Sequence, residues 1–305
     1  MKFFVVTSLI LASFVAHCDV EVEVMMDNEV KYFRAEIKKD GAFEFNPEGE
    51  QSVTLATLDW APYIDREICG QGWVQQAVVG AFIRKGYRVV SYFVPWKRAV
   101  AMTERGMVDA LYPEYTISPI AMSDIFPRQK RLSLLEMSEP FPGGSVSFWK
   151  RKDTDIDFDG NLLALRNVSI GVVAGYENTP EFDALMDQRY FAVNTAMNDW
   201  ANVRKLYGGR ISLIVGDPEV FKFAIRQNLP ADEAKQYFDE LETVTPHLAE
   251  HPLFLAFSKK RLRYRDNLAV FNQSLTEMRQ NEELNRIRTK YQHMAHLPQE
   301  CVVLE

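Results

Sequence analysis

Positive charge is in deficit, with 35 lysines and arginines against 42 aspartates and glutamates and a formal net charge of -7. That balance argues against a nucleic-acid binder, which needs a basic face. Long apolar runs are absent beyond residues 3–15, so nothing later in the chain is fit to span a bilayer. There is no G-x-S-x-G elbow, no Walker loop and no dinucleotide fingerprint, so the common motifs of hydrolases, P-loop enzymes and dehydrogenases find no support. Internal repeats and low-complexity segments are missing too. Cysteine is scarce: Cys18, Cys69 and Cys301. If the first is removed with a leader, Cys69 and Cys301 remain in an oxidising compartment, where a disulfide and two separate thiols are both open.

One motif that is present carries little. His247-Leu-Ala-Glu-His251 spells H-x-x-E-H, but Pro246 and Pro252 bracket it and leave barely one helical turn. A zincin needs a longer helix and a third ligand, so this reads as a chance match. His293 and His296 read as a solvated helix end rather than metal ligands. No metal, cofactor or catalytic group is expected.

The 305 residues, 47% hydrophobic and 25% charged, suffice for two ordinary domains. Residues 1–18, MKFFVVTSLILASFVAHC, pair one lysine with an apolar run too short to span, the pattern of a secretory signal peptide. Cleavage after Ala16 and after Cys18 both fit; His17 disfavours acylation of Cys18. The expected location is the periplasm.

Two stretches organise the rest. Val168–Met186 reads as a short buried strand, a turn at Gly175, and a helix that starts with Thr179 as N-cap and Pro180 at the first helical position. Such a helix start collects free N–H groups and suits an anion. Arg210–Ala224 repeats the pattern, with strand residues Ile211, Leu213, Ile214 and Val215 leading to Gly216-Asp217-Pro218 and a helix. Asp217 then stands at the C-terminal end of a parallel strand, where open α/β sheets place ligands. An anion site beside a carboxylate suits a ligand with both charges.

Residues 19–51 are acidic and weakly patterned, expected as a hairpin-bearing appendage. From Ser52 the rhythm is strand, loop, helix: a strand SVTLATL, a helix striped by Val74, Ala77, Val78, Ala81 and Phe82, a strand over Tyr87–Phe93, a helix from Pro95, and a strand over Val108–Tyr112. A similar series follows from Phe148 to about Val244. The chain returns through Leu253–Ser258 into a polar-faced helical region, Tyr264–His293. Alternating strands and helices imply wound, mostly parallel sheets. The expected division is 52–146 for a first lobe, 147–245 for an inserted second lobe, 246–298 returning to the first, and 299–305 as a tail.

Six segments in order carry a resemblance: ATLDWAPY; VPWKRAVAMTERGMVDALYP; MSEPF; VSIGVVAGYENT; RISLIVGDPEV; and HPLFLAFSK with the NLAVFNQSLTEMRQNEELNRIRTKY that follows. Over about Ser52–Gln292 the chain resembles the bacterial extracellular solute-binding proteins of family 3, which deliver polar amino acids to ABC transporters. The resemblance implies a two-lobed type II periplasmic-binding fold, joined by two crossings and closing on a ligand. By position it implies an aromatic wall from Trp60 and Tyr63, with Trp96 lining the cleft. Tyr115 and Thr116 lie in the turn YTISP. Tyr176, Glu177 and Thr179 lie in the loop that contacts a ligand carboxylate, and Asp217 matches the aspartate that holds a ligand ammonium. The family's arginine maps to Arg131, but the insertion IAMSDIFPRQK separates that residue from its turn. Arg128 competes for the role, and neither serving is also open.

The function so implied is capture of a small polar solute, an amino acid or related zwitterion, by a monomer that presents it to an ABC-transporter permease. Two rivals stand beside it. One is a dehydratase-like periplasmic enzyme, as the fold hosts such a lineage and Glu177 is placed to act as acid or base. The other is a sensory subunit for a membrane receptor.

Overall fold

The computed structural model describes residues 20–27 and 29–295. The leader, His296, Cys301 and the tail lie outside them. Cys69 is disulfide-bonded.

The chain opens with an antiparallel hairpin, β1 (Glu21–Met26) and β2 (Glu29–Arg34), followed by β3 (Glu36–Ile37) and β4 (Phe43–Phe45). The wound part begins with β5 (Gln51–Thr57), α1 (Trp73–Ile83), β6 (Tyr87–Phe93), α2 (Trp96–Glu104) and β7 (Ala110–Glu114). Strands β6, β5 and β7 are parallel, as the strand–helix rhythm requires, and β4 extends the sheet antiparallel to β6. The segment expected as an appendage is woven into this lobe. Val22 and Val24 are fully buried in its core, so α1 is covered on the side its apolar stripe left free, and every residue of α1 is buried. The polar residues of that helix are therefore bonded rather than solvated: Gln76 accepts from Glu23 N (3.0 Å), and Gln75 donates to Gln71 (2.9 Å). Glu23, on the other face of β1, is buried with Arg286 and Lys290 against its carboxylate. The alternation in DVEVEV marks a strand covered on both faces, with its acid neutralised.

After an insertion loop come α3 (Arg131–Leu134), β8 (Leu135–Met137) and the long β9 (Phe141–Arg151), which crosses into the second lobe. That lobe contains β10 (Ser169–Val173), α4 (Pro180–Asp187), β11 (Ala192–Ala196), α5 (Asp199–Tyr207), β12 (Leu213–Gly216), α6 (Pro218–Asn228), α7 (Ala231–Glu240) and β13 (Leu241–Thr243). Strands β11, β10 and β12 are parallel, with β9 antiparallel to β12. Successive residues of β9 serve opposite faces: Phe148 packs with Phe158 and Phe182, Trp149 with Phe221.

The chain returns along β14 (Ala249–Ser258), which pairs antiparallel with β9 over Ala249↔Val146 to Leu253↔Phe141 and then with β7. These two crossing strands are the connection between the lobes. The helical region ending the chain is two helices, α8 (Tyr264–Gln280) and α9 (Glu283–Met294), which pack on α1 through Lys85–Glu277 (2.8 Å) and Arg84–Glu283. The H-x-x-E-H residues fall on a loop and on β14 rather than a helix. His247 is exposed and bonded to Ser147, while Glu250 and His251 are successive strand residues.

Burying a valine side chain contributes about 1.5–3 kcal/mol. Val24→Ala should therefore lower the unfolding free energy of the whole first lobe by about 2 kcal/mol in urea denaturation. An unchanged midpoint would mean that the hairpin is dispensable.

Candidate ligand cleft

The loops after β5, β7, β10 and β12 meet where the lobes face each other, at the C-terminal ends of parallel strands. The loops after β5, β7 and β10, with the start of α2, border a pocket whose space, open mouth included, is about 280 Å³. Leu58, Trp60, Trp96, Pro113, Glu114 and Tyr115 line it from the first lobe, Tyr176 and Glu177 from the second.

The aromatic walls interlock. Trp60 stacks on Tyr63 (4.4 Å between centroids, 19°), and Tyr115 meets Trp60 edge-on (5.7 Å, 80°). Trp96 meets Tyr176 edge-on across the lobes (6.4 Å, 87°). Gly175, at φ +84°, turns the chain so that its carbonyl accepts from Trp96 Nε1 at 3.0 Å. A second contact between lobes joins Tyr63 Oη to Asp217 Oδ2 at 2.7 Å. It passes over Gly144 of β9, where a Cβ would lie 2.0 Å from Tyr63 Oη and 2.1 Å from Asp217 Oδ2. Only glycine fits there.

Arg131 makes the third contact. Its guanidinium reaches Glu114 at 2.7 Å, Glu177 of the second lobe at 3.0 Å and Glu104 at 3.4 Å. The residue is 4% exposed. The insertion loop delivers it: Ser123 Oγ donates to Glu104 (2.5 Å), and Arg131 N donates to the Ala121 carbonyl (2.9 Å). Arg128 is exposed on that loop. So Arg131 is the arginine at the cleft, but its guanidinium is occupied by carboxylates of the chain itself.

The two helix starts are occupied as well. Thr179 Oγ1 accepts from Phe182 N (3.2 Å), and Asp183 accepts from Asn178 N (2.9 Å). The amides expected to hold an anion are thus partly taken by an acidic first turn. Asp217 caps α6, accepting from Glu219 N at 2.7 Å. Of the residues singled out by sequence, Trp60, Trp96, Tyr115, Tyr176 and Glu177 line the cavity. Tyr63, Arg131 and Asp217 stand directly behind it, while Thr116 is exposed and Thr179 serves its helix. Glu104, Glu114, Gly144 and Asp199 escaped notice. Asp199, first residue of α5, accepts from Tyr176 Oη at 3.0 Å. Only the position of Glu114 in ALYPEY, one residue before Tyr115, offered a signal.

Burial pushes the carboxyls of this region up: Glu114 to about 7 against the pull of Arg131, Asp199 to about 7 and Asp217 to about 6 against their phenol hydrogen bonds. In the same way burial lowers His251, which stacks on Tyr115 (4.8 Å, 33°). Among the described residues no cluster fit to hold a metal ion is found, and no helix is long and apolar enough to cross a membrane.

No family model matches the chain, and no curated protein sequence does. Solved structures match in number, and they share its fold. The fold is that of two-lobed periplasmic binding proteins. The chain is similar to the substrate-binding protein of an amino acid ABC transporter at 15% identity, covering 79% of this chain and 98% of that one with a TM-score of 0.59. An ancestral arginine-binding protein bound to arginine matches at 18% identity, with 80% and 99% covered and a TM-score of 0.60. A histidine kinase sensor domain with similarity to periplasmic binding proteins matches at 16%, with 80% and 97% covered and a TM-score of 0.61.

Removing one partner of a buried charge cluster costs about 3–5 kcal/mol. Arg131→Ala should cost that much in urea denaturation at pH 7.5, and less at pH 5, where Glu114, whose carboxyl burial pushes up to about 7, is protonated. A neutral effect would show that the cluster does not stabilise the closed form. For Asp199 the sign follows from its raised pKa: the folded chain holds this proton more tightly than the unfolded chain. Its favourable contribution is complete below pH 4 and lost as pH rises through 7. Relative to wild type, Asp199→Asn should therefore gain stability with pH, by up to about 1.4 kcal/mol per unit between pH 5 and 7. A flat difference would contradict the raised value.

Proposed function

We propose that this chain is an exported solute-binding protein that closes its two lobes over a small polar solute, an amino acid or related charged molecule, and presents it to a membrane partner. The observation that carries this reading is the aromatic cavity whose wall is shared between lobes, with Trp96 and Tyr176 facing each other across the seam. Trp60, Tyr63, Trp96, Tyr115 and Tyr176 shape the site, Glu177 and Asp217 supply charge, and Arg131 holds Glu114 and Glu177 in place. The leader directs the chain to the periplasm, and the partner is an ABC-transporter permease. The likeness to amino acid ABC transporter binding proteins and to an arginine-binding protein supports this assignment. The likeness to a kinase sensor domain favours, more weakly, a second reading in which the partner is a membrane receptor. Catalysis is not part of the proposal, since Glu177, the candidate acid or base, is held by Arg131 at 3.0 Å.

Calorimetry of the purified chain against amino acids, amines and small carboxylates tests this. One class should bind at one solute per chain, with no product formed on prolonged incubation. Trp60→Ala and Trp96→Ala should each weaken binding at least tenfold. Binding indifferent to both would place the solute outside this cavity, and turnover would favour the enzyme.

A further inference from the structure

Which solute charge the cavity accepts is written in its walls. No lysine, arginine or histidine lines it. The guanidinium behind it is met by the carboxylates of Glu104, Glu114 and Glu177, so that cluster alone has more negative than positive groups. Two more carboxyls stand behind the aromatic wall, Asp217 on Tyr63 Oη and Asp199 on Tyr176 Oη, and become charged as pH rises through about 6 and about 7. Phenols that donate to carboxylates have electron-rich rings, and electron-rich aromatic faces attract cations. A ligand carboxylate entering here would find the two terminal nitrogens of Arg131 bonded to Glu177 and Glu114 and would lie beside those carboxyls. A desolvated cation would find aromatic faces and unbalanced negative charge.

We propose, building on the solute-binding reading above, that the recognised group is an organic cation (guanidinium, ammonium or methylated ammonium) held between the aromatic walls and the Glu114–Glu177 carboxylates, and that a carboxylate on the solute adds nothing to affinity. Arg131 is then a positioning residue: it neutralises part of the acidic cluster and fixes Glu114 and Glu177 at the cavity edge. The aromatic lining, Trp60, Trp96, Tyr115 and Tyr176, suits an organic group rather than a bare metal ion, which takes oxygen ligands.

Calorimetry with arginine, agmatine, spermidine, choline, glutamine and glutamate is the test. Agmatine has the guanidinium of arginine without its carboxylate, so the pair isolates that group. At least one of agmatine, spermidine and choline should bind no more than threefold weaker than arginine, with glutamate and glutamine at least a hundredfold weaker than the best cation. Glu177→Gln, a loop substitution that preserves size, should weaken the best cation at least tenfold. Trp60→Leu, which keeps apolar volume and removes the aromatic face, should do the same. Arginine binding tenfold or more above all three carboxylate-free cations overturns the proposal, as does cation binding unchanged in both variants. If glutamate or glutamine binds while the cations stay silent, the proposal falls and the solute-binding reading stands. Silence from all six overturns the proposal too, and a solute found outside this panel would then carry the broader reading alone.

Discussion

The Arg131 guanidinium lies among Glu104 and Glu114 of the first lobe and Glu177 of the second, at 3.4, 2.7 and 3.0 Å. Taking such charges out of water is costly, and their mutual attraction offsets that cost only while all are in place. Two of the three carboxylates belong to the same lobe as the arginine; the third arrives only when the lobes are together. The cluster therefore has one arrangement when the cleft is closed and loses a member when it opens. The insertion before Arg131 serves this geometry by carrying the residue from an exposed loop to a buried position beside the end of β7.

Other contacts join the lobes beside this one: Val220 of α6 packs in the first-lobe core, and Phe223 packs with Ala61 and Ala295. Tyr63 reaches Asp217, and Trp96 reaches the Gly175 carbonyl. A solute can shift the lobes only by as much as its affinities for two arrangements differ. Around these contacts the crossing strands are packed too tightly for any side chain at two positions. A Cβ at Gly143 would fall 1.9 Å from the His251 carbonyl, and one at Gly144 would strike the Tyr63–Asp217 bond. Backbone and cleft thus approach each other where the lobes join.

Local pattern made much of the fold legible. Strand β6 occupies the span its alternation predicts, and Thr179 and Asp217 cap helices α4 and α6 as their types and the following prolines require. The wound order follows from buried strands alternating with helices. The hairpin at the start is present as its alternation predicts, but its burial is not legible, because a strand with acids on one face reads as half-solvated. Glu23 is buried only because Arg286 and Lys290, far away in sequence, come to it. Trp60, Trp96 and Tyr176, which the resemblance singled out, line the pocket.

The sequence by itself determined where strands end, which helices begin with a cap, and which aromatic residues stand at those ends, because these depend on neighbours within a few positions. What Arg131 and Asp217 bind was decided by the tertiary structure. Their charges were plain in the sequence, but a charge is satisfied by whatever lies within about 4 Å in space. For Arg131 those groups come from α2, β7 and the loop after β10, and for Asp217 from the loop after β5. Only the arrangement of the two lobes brings these groups together, because they are remote from one another in sequence.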